Sequence, residues 1–235
     1  MFEDVLCVIP ARGGSKGILH KNLCLLGSDP LFVHSVKHAL CAGISSTQIL
    51  VSSDDDEILQ IAKSHNVIAH KRPDEISQDF SSTEDCLIDA CHATGDKYKT
   101  VLTLQPTSPI RSQGRVYDAL ITYRDGDYDS LVSVTKFYNL FWYEVQYKGK
   151  YRWTNSYDIH NRPMRQSLDR GDFKYFENGN LYISNADMLL KTKCRLGSKV
   201  CVYPITELEG MQIDNHEDLR IFQQIFDHEN WGLVL

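Results

Sequence analysis

The sequence lacks a hydrophobic run long enough to cross a bilayer, since its longest apolar runs, such as Val5 to Ile9, have only the length of a strand. Its beginning, Met1-Phe2-Glu3-Asp4, lacks the positive charge of a secretory signal. The chain also has no excess of basic residues, and its formal net charge of −6 argues against a general nucleic-acid binder. These absences predict a cytoplasmic protein that binds neither membrane nor nucleic acid.

Paired cysteines are also absent. The chain has seven cysteines, an odd number, and none of them forms a CxxC pair. Their scatter through apolar segments predicts reduced thiols in the core of a cytosolic protein. These cysteines are Cys7, Cys24, Cys41, Cys86, Cys91, Cys194 and Cys201.

Short apolar segments alternate with amphipathic ones, which is typical of βα units. The predicted strands are Val5–Ile9, Gln48–Ser52, Val67–His70, Thr100–Leu104, Ser130–Thr135, Asn180–Ser184 and Lys199–Tyr203. The predicted helices are Leu31–Ala42, Asp55–Ser64, Thr83–Ala93, Gly114–Arg124, Ala186–Lys191 and His216–Phe226. This order predicts a three-layer α/β fold with a mostly parallel sheet.

Residues 136–178 interrupt the alternation. Two aromatic segments, Phe141 to Val145 and Tyr151 to Trp153, flank Lys148-Gly149-Lys150, which predicts a β-hairpin. We therefore expect one domain over residues 1–235, in which 136–178 form an inserted hairpin and loop. The aromatic side chains suit either a lid or a dimer contact.

A glycine-rich loop follows the first predicted strand, in the order Ala11-Arg12-Gly13-Gly14-Ser15-Lys16-Gly17. Glycines let successive amide groups face one concavity, and Arg12, Lys16 and Lys21 bring three cations to it. The loop is expected beyond the carboxyl end of its strand, where open α/β sheets bind ligands. It matches neither GxxxxGK[ST] nor GxGxxG, which argues against a P-loop ATPase and a redox Rossmann enzyme.

The chain resembles the acylneuraminate cytidylyltransferases, also called CMP-sialic acid synthetases, in five segments that follow the family's order. These segments are Ile9–Gly17 with Lys21-Asn22, Val51–Asp55, Arg72–Ser82, Leu104–Arg111 and Glu177–Ile183. Among the branches, Gln105 to Pro109 is most similar to the sialic and legionaminic acid branch. The resemblance implies a Rossmann-like nucleotidyltransferase fold, a homodimer, and a small hairpin element for dimerisation or closure.

The resemblance also implies which residues bind the nucleotide, CTP. These are Ala11, Arg12, Gly13, Gly14, Ser15, Lys16, Lys21, Asn22, Ser81 and Ser82. A capping role is also expected for the segment Ser81-Ser82-Thr83, at the start of a helix with Glu84 and Asp85 in its first turn. Capping and binding are compatible, because a helix start presents free N–H groups.

A second group is expected to bind the sugar acid. Gln105, Thr107, Ser108 and Arg111 directly follow the fourth predicted strand, and the family resemblance places Gln105 on the sugar. Arg165, Gln166 and Tyr175 lie in or near the loop that enters the predicted strand Asn180–Ser184, and Arg165-Gln166 best matches the family's substrate segment. An arginine in this group suits the sugar carboxylate, which it can bind with two hydrogen bonds. The alternative for Gln105 to Arg111 is a rigid proline-flanked turn, and the two interpretations are compatible.

The family's acidic pair before the last helix is only half present. Gln212 stands at the first position and Asp214 at the second, so the predicted metal ligands are Asp214 with Gln212 as a neutral oxygen donor. Mg²⁺ (or Mn²⁺) often takes one or two carboxylates and completes its shell with phosphate oxygens and water. The residues expected to stabilise the reacting phosphates are therefore Arg12, Lys16, Lys21 and Asp214.

Together these features predict an enzyme that transfers CMP from CTP to the anomeric hydroxyl of N-acetylneuraminic or legionaminic acid, releasing pyrophosphate. Alternative acceptors are pseudaminic acid and 3-deoxy-octulosonate. A further alternative, raised by Gln212, is a protein that binds CTP without turning it over.

Overall fold

The computed structural model of the protein describes residues 1–15, 17–137, 140–164, 166 and 173–228. The strands of this part are β1 (Val5–Pro10), β2 (Leu25–Leu26), β3 (Asp29–Pro30), β4 (Ile49–Ser53), β5 (Ile68–Lys71), β6 (Thr100–Leu104), β7 (Ser130–Phe137), β8 (Trp142–Tyr147), β9 (Lys150–Asn155), β10 (Lys174–Asn185) and β11 (Val200–Ile205). The helices are α1 (Leu31–Cys41), α2 (Asp56–Ser64), α3 (Thr83–Ala93), α4 (Arg115–Asp125), α5 (Ala186–Thr192) and α6 (His216–His228).

Side-chain caps fix where several helices start. Asp55 accepts hydrogen bonds from two amides in the first turn of α2, and Asn185 accepts one from Met188 in α5. Ser82 and Asp85 form a reciprocal capping box at α3, as the serines and acidic residues there predicted. Asn215 caps α6 in the same way. The helix starts were therefore predictable to within a residue.

Seven strands form one sheet in the order β11-β7-β10-β6-β1-β4-β5. Strands β5, β4, β1, β6, β7 and β11 run in one direction and β10 runs against its neighbours β6 and β7. The prediction of a mostly parallel sheet is confirmed. Strand β10 starts at Lys174 rather than Asn180, because its first part continues past an irregularity at Glu177/Tyr182 and pairs with the end of β7.

Helices cover both faces of the sheet. On one face, residues of α1, α2 and α4 pack on alternate residues of β1 and β4, including Cys7, Ile9 and Val51. On the other face, α3 and α5 pack against Leu6 and Val8. Helix α6 packs beside the short β2–β3 ribbon. Because the strands are buried on both faces, they read in the sequence as continuous apolar runs.

Strands β8 and β9 pair antiparallel, which confirms the predicted hairpin. Its aromatic side chains stay open to solvent: Trp142 is 54% and Trp153 67% exposed. The neighbouring ends of β7 and β10 are also exposed, and Phe137 and Phe176 contact each other there. The role of the β8–β9 hairpin as a lid or a dimer contact stays a prediction.

The prediction that all cysteines are core thiols is only partly right. Cys7, Cys86, Cys91 and Cys201 are buried, but Cys41 and Cys194 are exposed, and all seven are free thiols. The two exposed cysteines lie at the end of α1 and just after α5, where apolar helix residues give way to a turn. No helix in the described part of the chain is both long and apolar enough to span a bilayer.

Candidate active site

A cavity of about 300 Å³ lies beyond the carboxyl ends of β1 and β6, where ligands of open α/β sheets bind. Its lining includes three cationic side chains, those of Arg12, Lys21 and Arg72. The other lining residues are Pro10, Ser15, Asn22, Ile76, Gln78, Asp79, Ser81, Ser82, Thr83, Cys86, Gln105, Pro106 and Thr107. Of the predicted nucleotide ligands, Arg12, Ser15, Lys21, Asn22, Ser81 and Ser82 thus meet at one cavity. Lys16 lies outside the described residues.

The loop after β1 is fixed at its start. The Ala11 amide donates to the Ser52 carbonyl at 2.9 Å, which extends the β1–β4 pairing by one residue. The side-chain amide of Asn22 donates to the Arg12 carbonyl at 2.8 Å, so this buried asparagine acts on the loop backbone. The Arg12 guanidinium lies 3.2 Å from the Asp79 carboxylate across the cavity mouth. Arg12 is thus a cavity cation that is already paired with a carboxylate.

Lys21 connects the loop region to the segment before α6. Its Nζ donates to the Ile213 carbonyl at 2.8 Å and lies 3.4 Å from Asp214 Oδ1. The Lys21 side chain is only 13% exposed, whereas that of Asp214 is 65% exposed. Gly17 reinforces the connection, because a side chain there would overlap the Asp214 carbonyl. The cation is thus held in place at the cavity wall.

Arg72 is a cavity cation to which the sequence analysis assigned no role. Its Nε donates to Ser52 Oγ at 3.0 Å and its Nη2 to the Ser52 carbonyl at 2.7 Å, and the residue is 6% exposed. The signal that could have identified it is its position directly after β5, at the same sheet edge as the glycine-rich loop. Asp79 was missed for a different reason, since it lies in an irregular segment with no strand to place it.

Ser82 caps α3, as predicted, and it also lines the cavity, while its contact with the nucleotide stays a prediction. Cys86 lies one turn further into α3 and also lines the cavity. Burial raises the pKa of the Cys86 thiol, which keeps it protonated at neutral pH. It is therefore a packing group and not a nucleophile.

The turn after β6 divides into residues that face the cavity and residues that support it. Gln105 and Thr107 line the cavity. Within the described residues, the Gln105 side-chain amide makes no hydrogen bond, so it is available to a ligand. Ser108 is fully buried, and its hydroxyl has no hydrogen-bond partner among the described residues.

The prediction that Arg111 binds the sugar acid is wrong. Arg111 is fully buried, and its guanidinium donates to Asn180, to Ser35 and to the Gln105 carbonyl at 3.0 Å. Burial lowers the pKa of Arg111 to about 9, so it still carries its charge at neutral pH. The Arg111 backbone follows the turn, where ligand-binding residues are expected. Its side chain is buried beneath the turn and supports it through the hydrogen bond to the Gln105 carbonyl.

Glu209 completes this buried support. Its carboxylate accepts hydrogen bonds from Arg115 Nε at 2.8 Å and Nη2 at 2.9 Å, from the Ser112 amide at 2.8 Å, and from Thr206 Oγ1 at 2.8 Å. Burial alone would raise the pKa of Glu209, but these hydrogen bonds outweigh it and lower the pKa to about 2. The Asn180 side chain joins the network through the Glu209 carbonyl at 2.7 Å. Glu209 thereby ties the segment before α6 to the turn after β6.

The predicted metal ligands diverge in the structure. Ile213 is buried between them, and Asp214 extends toward Lys21. The Gln212 amide nitrogen donates to the Asn178 carbonyl, beside Gly179, where any side chain would overlap it. No group of three His, Cys, Asp or Glu side chains suited to a metal occurs among the described residues. Asp214 as the single carboxylate ligand fits one Mg²⁺. Phosphate oxygens and water would be the other ligands of that ion.

Of the remaining predicted substrate ligands, the described residues Gln166 and Tyr175 do not line the cavity. Tyr175 is 48% exposed on the projecting part of β10 and does not line it. Gln166 is exposed as well, and Arg165 lies outside the described residues. Ala11, Gly13 and Gly14 belong to the loop backbone and do not line the cavity with side chains.

The chain is similar in sequence to known cytidylyltransferases. The profile of a family described as cytidylyltransferase matches residues 6–197. The chain is 30% identical to an N-acylneuraminate cytidylyltransferase from Streptococcus agalactiae serotype III (strain NEM316), over 91% of this chain and 51% of that protein. It thus spans about half the length of such curated relatives. It is 26% identical to the post-translational flagellin modification protein B of Campylobacter coli, over 97% of both chains.

Among solved structures, the chain is similar to CMP:2-keto-3-deoxy-manno-octonic acid synthetase complexed with CTP. The TM-score is 0.68 with 17% sequence identity, and the match covers 96% of this chain and 99% of that one. At this identity the likeness shows a shared fold, which agrees with the predicted Rossmann-like nucleotidyltransferase architecture.

Proposed function

Because this chain belongs to the cytidylyltransferase family, we propose that it transfers CMP from CTP to the anomeric hydroxyl of N-acetylneuraminic or legionaminic acid and releases pyrophosphate. The observation that carries this proposal is one cavity lined by Arg12, Lys21 and the turn that contains Gln105. The cations suit the triphosphate, and the Gln105 amide, which makes no hydrogen bond within the described residues, suits a hydroxylated sugar. Similarity to N-acylneuraminate cytidylyltransferases supports the choice of sugar acid.

The proposed chemistry is a direct transfer. The anomeric oxygen forms a bond to the α-phosphorus of CTP, the bond from that phosphorus to the β-phosphate oxygen breaks, and the hydroxyl proton is released. Arg12, Lys16 and Lys21 balance the charge on the triphosphate and on the leaving pyrophosphate. No covalent intermediate is needed, and the protonated Cys86 thiol offers no nucleophile in the cavity.

A divalent cation is part of the proposal. Asp214 would hold Mg²⁺ or Mn²⁺, which when bound supplies further positive charge to the phosphates. Gln212 is assigned instead to the Asn178 carbonyl, on the basis of its hydrogen bond. A homodimer is proposed as well, supported by the exposed aromatic side chains of the β8–β9 hairpin.

The test is pyrophosphate release from CTP and Mg²⁺ with N-acetylneuraminate, legionaminate, pseudaminate and 3-deoxy-octulosonate in turn. We expect release with N-acetylneuraminate or legionaminate, and none with ATP or without metal. Release only with one of the other two acids would correct the acceptor while keeping the reaction. Binding of CTP without release from any of the four would contradict the proposed activity.

Gln105 is expected to act on the acceptor rather than on the nucleotide. Replacing it by alanine removes a cavity amide with no hydrogen bond to the described residues. We expect the KM for the sugar acid to rise about tenfold and the KM for CTP to change less than about twofold. Gln113→Ala, an exposed glutamine outside the cavity, is the matched control and should leave both constants unchanged. Equal increases in both KM values for Gln105→Ala would refute a specific role with the acceptor.

A further inference from the structure

Three consecutive aspartates, Asp54, Asp55 and Asp56, follow β4 and make different contacts. Asp54 Oδ1 accepts a hydrogen bond from the Gly13 amide in the glycine-rich loop at 2.9 Å. Asp55 caps α2 through the Glu57 amide at 2.8 Å. Asp56 forms a surface ion pair with Lys71 at 2.7 Å and is 90% exposed. Asp54 is thus the member of the triplet whose side chain hydrogen-bonds to the loop.

The hydrogen bond between Gly13 and Asp54 follows directly on the pairing of β1 with β4. Strands β1 and β4 pair up to Pro10 and Ser52, and the Ala11 amide then reaches the Ser52 carbonyl. Two residues later the Gly13 amide donates to the Asp54 carboxylate, a side-chain acceptor just beyond the end of β4. The Asp54 side chain therefore connects the first residues of the loop to the end of β4.

Both partners of this hydrogen bond are fixed. The Asp54 carbonyl accepts a hydrogen bond from Lys71 Nζ at 2.8 Å, which anchors the aspartate backbone from β5. Gly13 is buried, and a Cβ on it would lie 2.7 Å from Asp55, so the loop passes close against the end of β4. These contacts favour the orientation of the Gly13 amide toward Asp54.

We propose that Asp54 is a positioning residue for CTP, which holds the glycine-rich loop in its binding shape before the nucleotide arrives. This inference rests on the proposed function, because it gives the loop its ligand. Arg12 precedes Gly13 and Ser15 follows it by two residues, and both line the cavity, so an anchored Gly13 limits where their backbone can lie. Asp54 needs only an acceptor oxygen for this role, and its negative charge opposes the binding of an anionic ligand.

The two effects are separable by substitution. Asp54→Ala removes the acceptor, whereas Asp54→Asn keeps an acceptor oxygen and removes the charge. We expect the KM for CTP to rise about tenfold in Asp54→Ala and to stay equal or fall in Asp54→Asn. Asp54→Ser, whose hydroxyl stops short of Gly13, should behave like Asp54→Ala and replaces it if the alanine variant does not fold. Asp56→Ala is the matched control, with a KM within about twofold of the unmodified chain.

A second readout does not depend on turnover. Hydrogen exchange of the amides in residues 11–15, measured without nucleotide, should be faster in Asp54→Ala and unchanged in Asp54→Asn and Asp56→Ala. Exchange and KM in Asp54→Ala equal to those of Asp56→Ala would overturn the role of Asp54. If the unmodified chain released no pyrophosphate, the proposed function would fail while the exchange experiment would still test the loop.

Discussion

Replacing Lys21 by alanine is expected to lower kcat/KM for CTP by about 10²–10³-fold, with most of the loss in kcat. The reason is the position of its ammonium group, held at the cavity wall by the Ile213 carbonyl and facing Asp214. A charge that is fixed before the phosphates arrive needs no rearrangement as charge develops on the leaving group. The measurement is steady-state pyrophosphate release over a range of CTP concentrations.

Lys37→Ala is the control for the Lys21 experiment. Lys37 also forms an ion pair, with Asp29 at 2.6 Å, but it lies outside the cavity lining. Its loss should change kcat/KM less than about threefold. If Lys21→Ala retained the unmodified rate at the same folded fraction, Lys21 would have no part in the reaction.

Glu209→Gln is expected to destabilise the fold by about 3 kcal/mol, because it leaves a buried arginine contact and backbone amides without their charged acceptor. The Glu209 side chain is 1% exposed and accepts hydrogen bonds from Arg115 and from the Ser112 amide. Chemical denaturation at neutral pH measures the loss. Glu207→Gln, at an exposed neighbouring glutamate, should change the free energy of unfolding by less than about 0.5 kcal/mol.

The same carboxylate predicts how stability depends on pH. The pKa of Glu209 is lowered to about 2 in the folded protein, from an ordinary value near 4.5. Its contribution is fully present above pH 4.5 and is lost as the pH falls toward 2. Between pH 5 and pH 3 the unmodified chain should lose more stability than Glu209→Gln. Parallel pH curves for the two proteins would show that the carboxylate is not stabilised by folding.

Much of the fold could be predicted because its strands are apolar and its helix caps are local. Ser82 and Asp85 lie three residues apart, and their reciprocal hydrogen bonds depend on nothing outside that turn. The start of β10 at Lys174 could not be predicted in this way, because that part of the strand is exposed and pairs with the end of β7, which is distant in sequence.

The site could be predicted where backbone position decides it. The loop of Arg12 lies at the cavity because it follows a central strand, and this rule applies equally to Arg72, for which it was not used. Arg111 was misassigned because sequence position does not reveal the direction of a long side chain, which here runs into the interior toward Asn180. Gln212 illustrates the same limit, since its partner Asn178 is distant in sequence.

The most direct test of the proposed reaction follows the oxygen atoms. The sugar acid is labelled with ¹⁸O at its anomeric hydroxyl and incubated with CTP and Mg²⁺, and the products are analysed by mass spectrometry and ³¹P NMR. Direct transfer predicts one pyrophosphate per CMP-sugar, with the label retained in the bond between sugar and phosphorus. Label-free CMP and pyrophosphate formed by hydrolysis, or an unlabelled bridging oxygen, would contradict attack by the anomeric hydroxyl on the α-phosphorus.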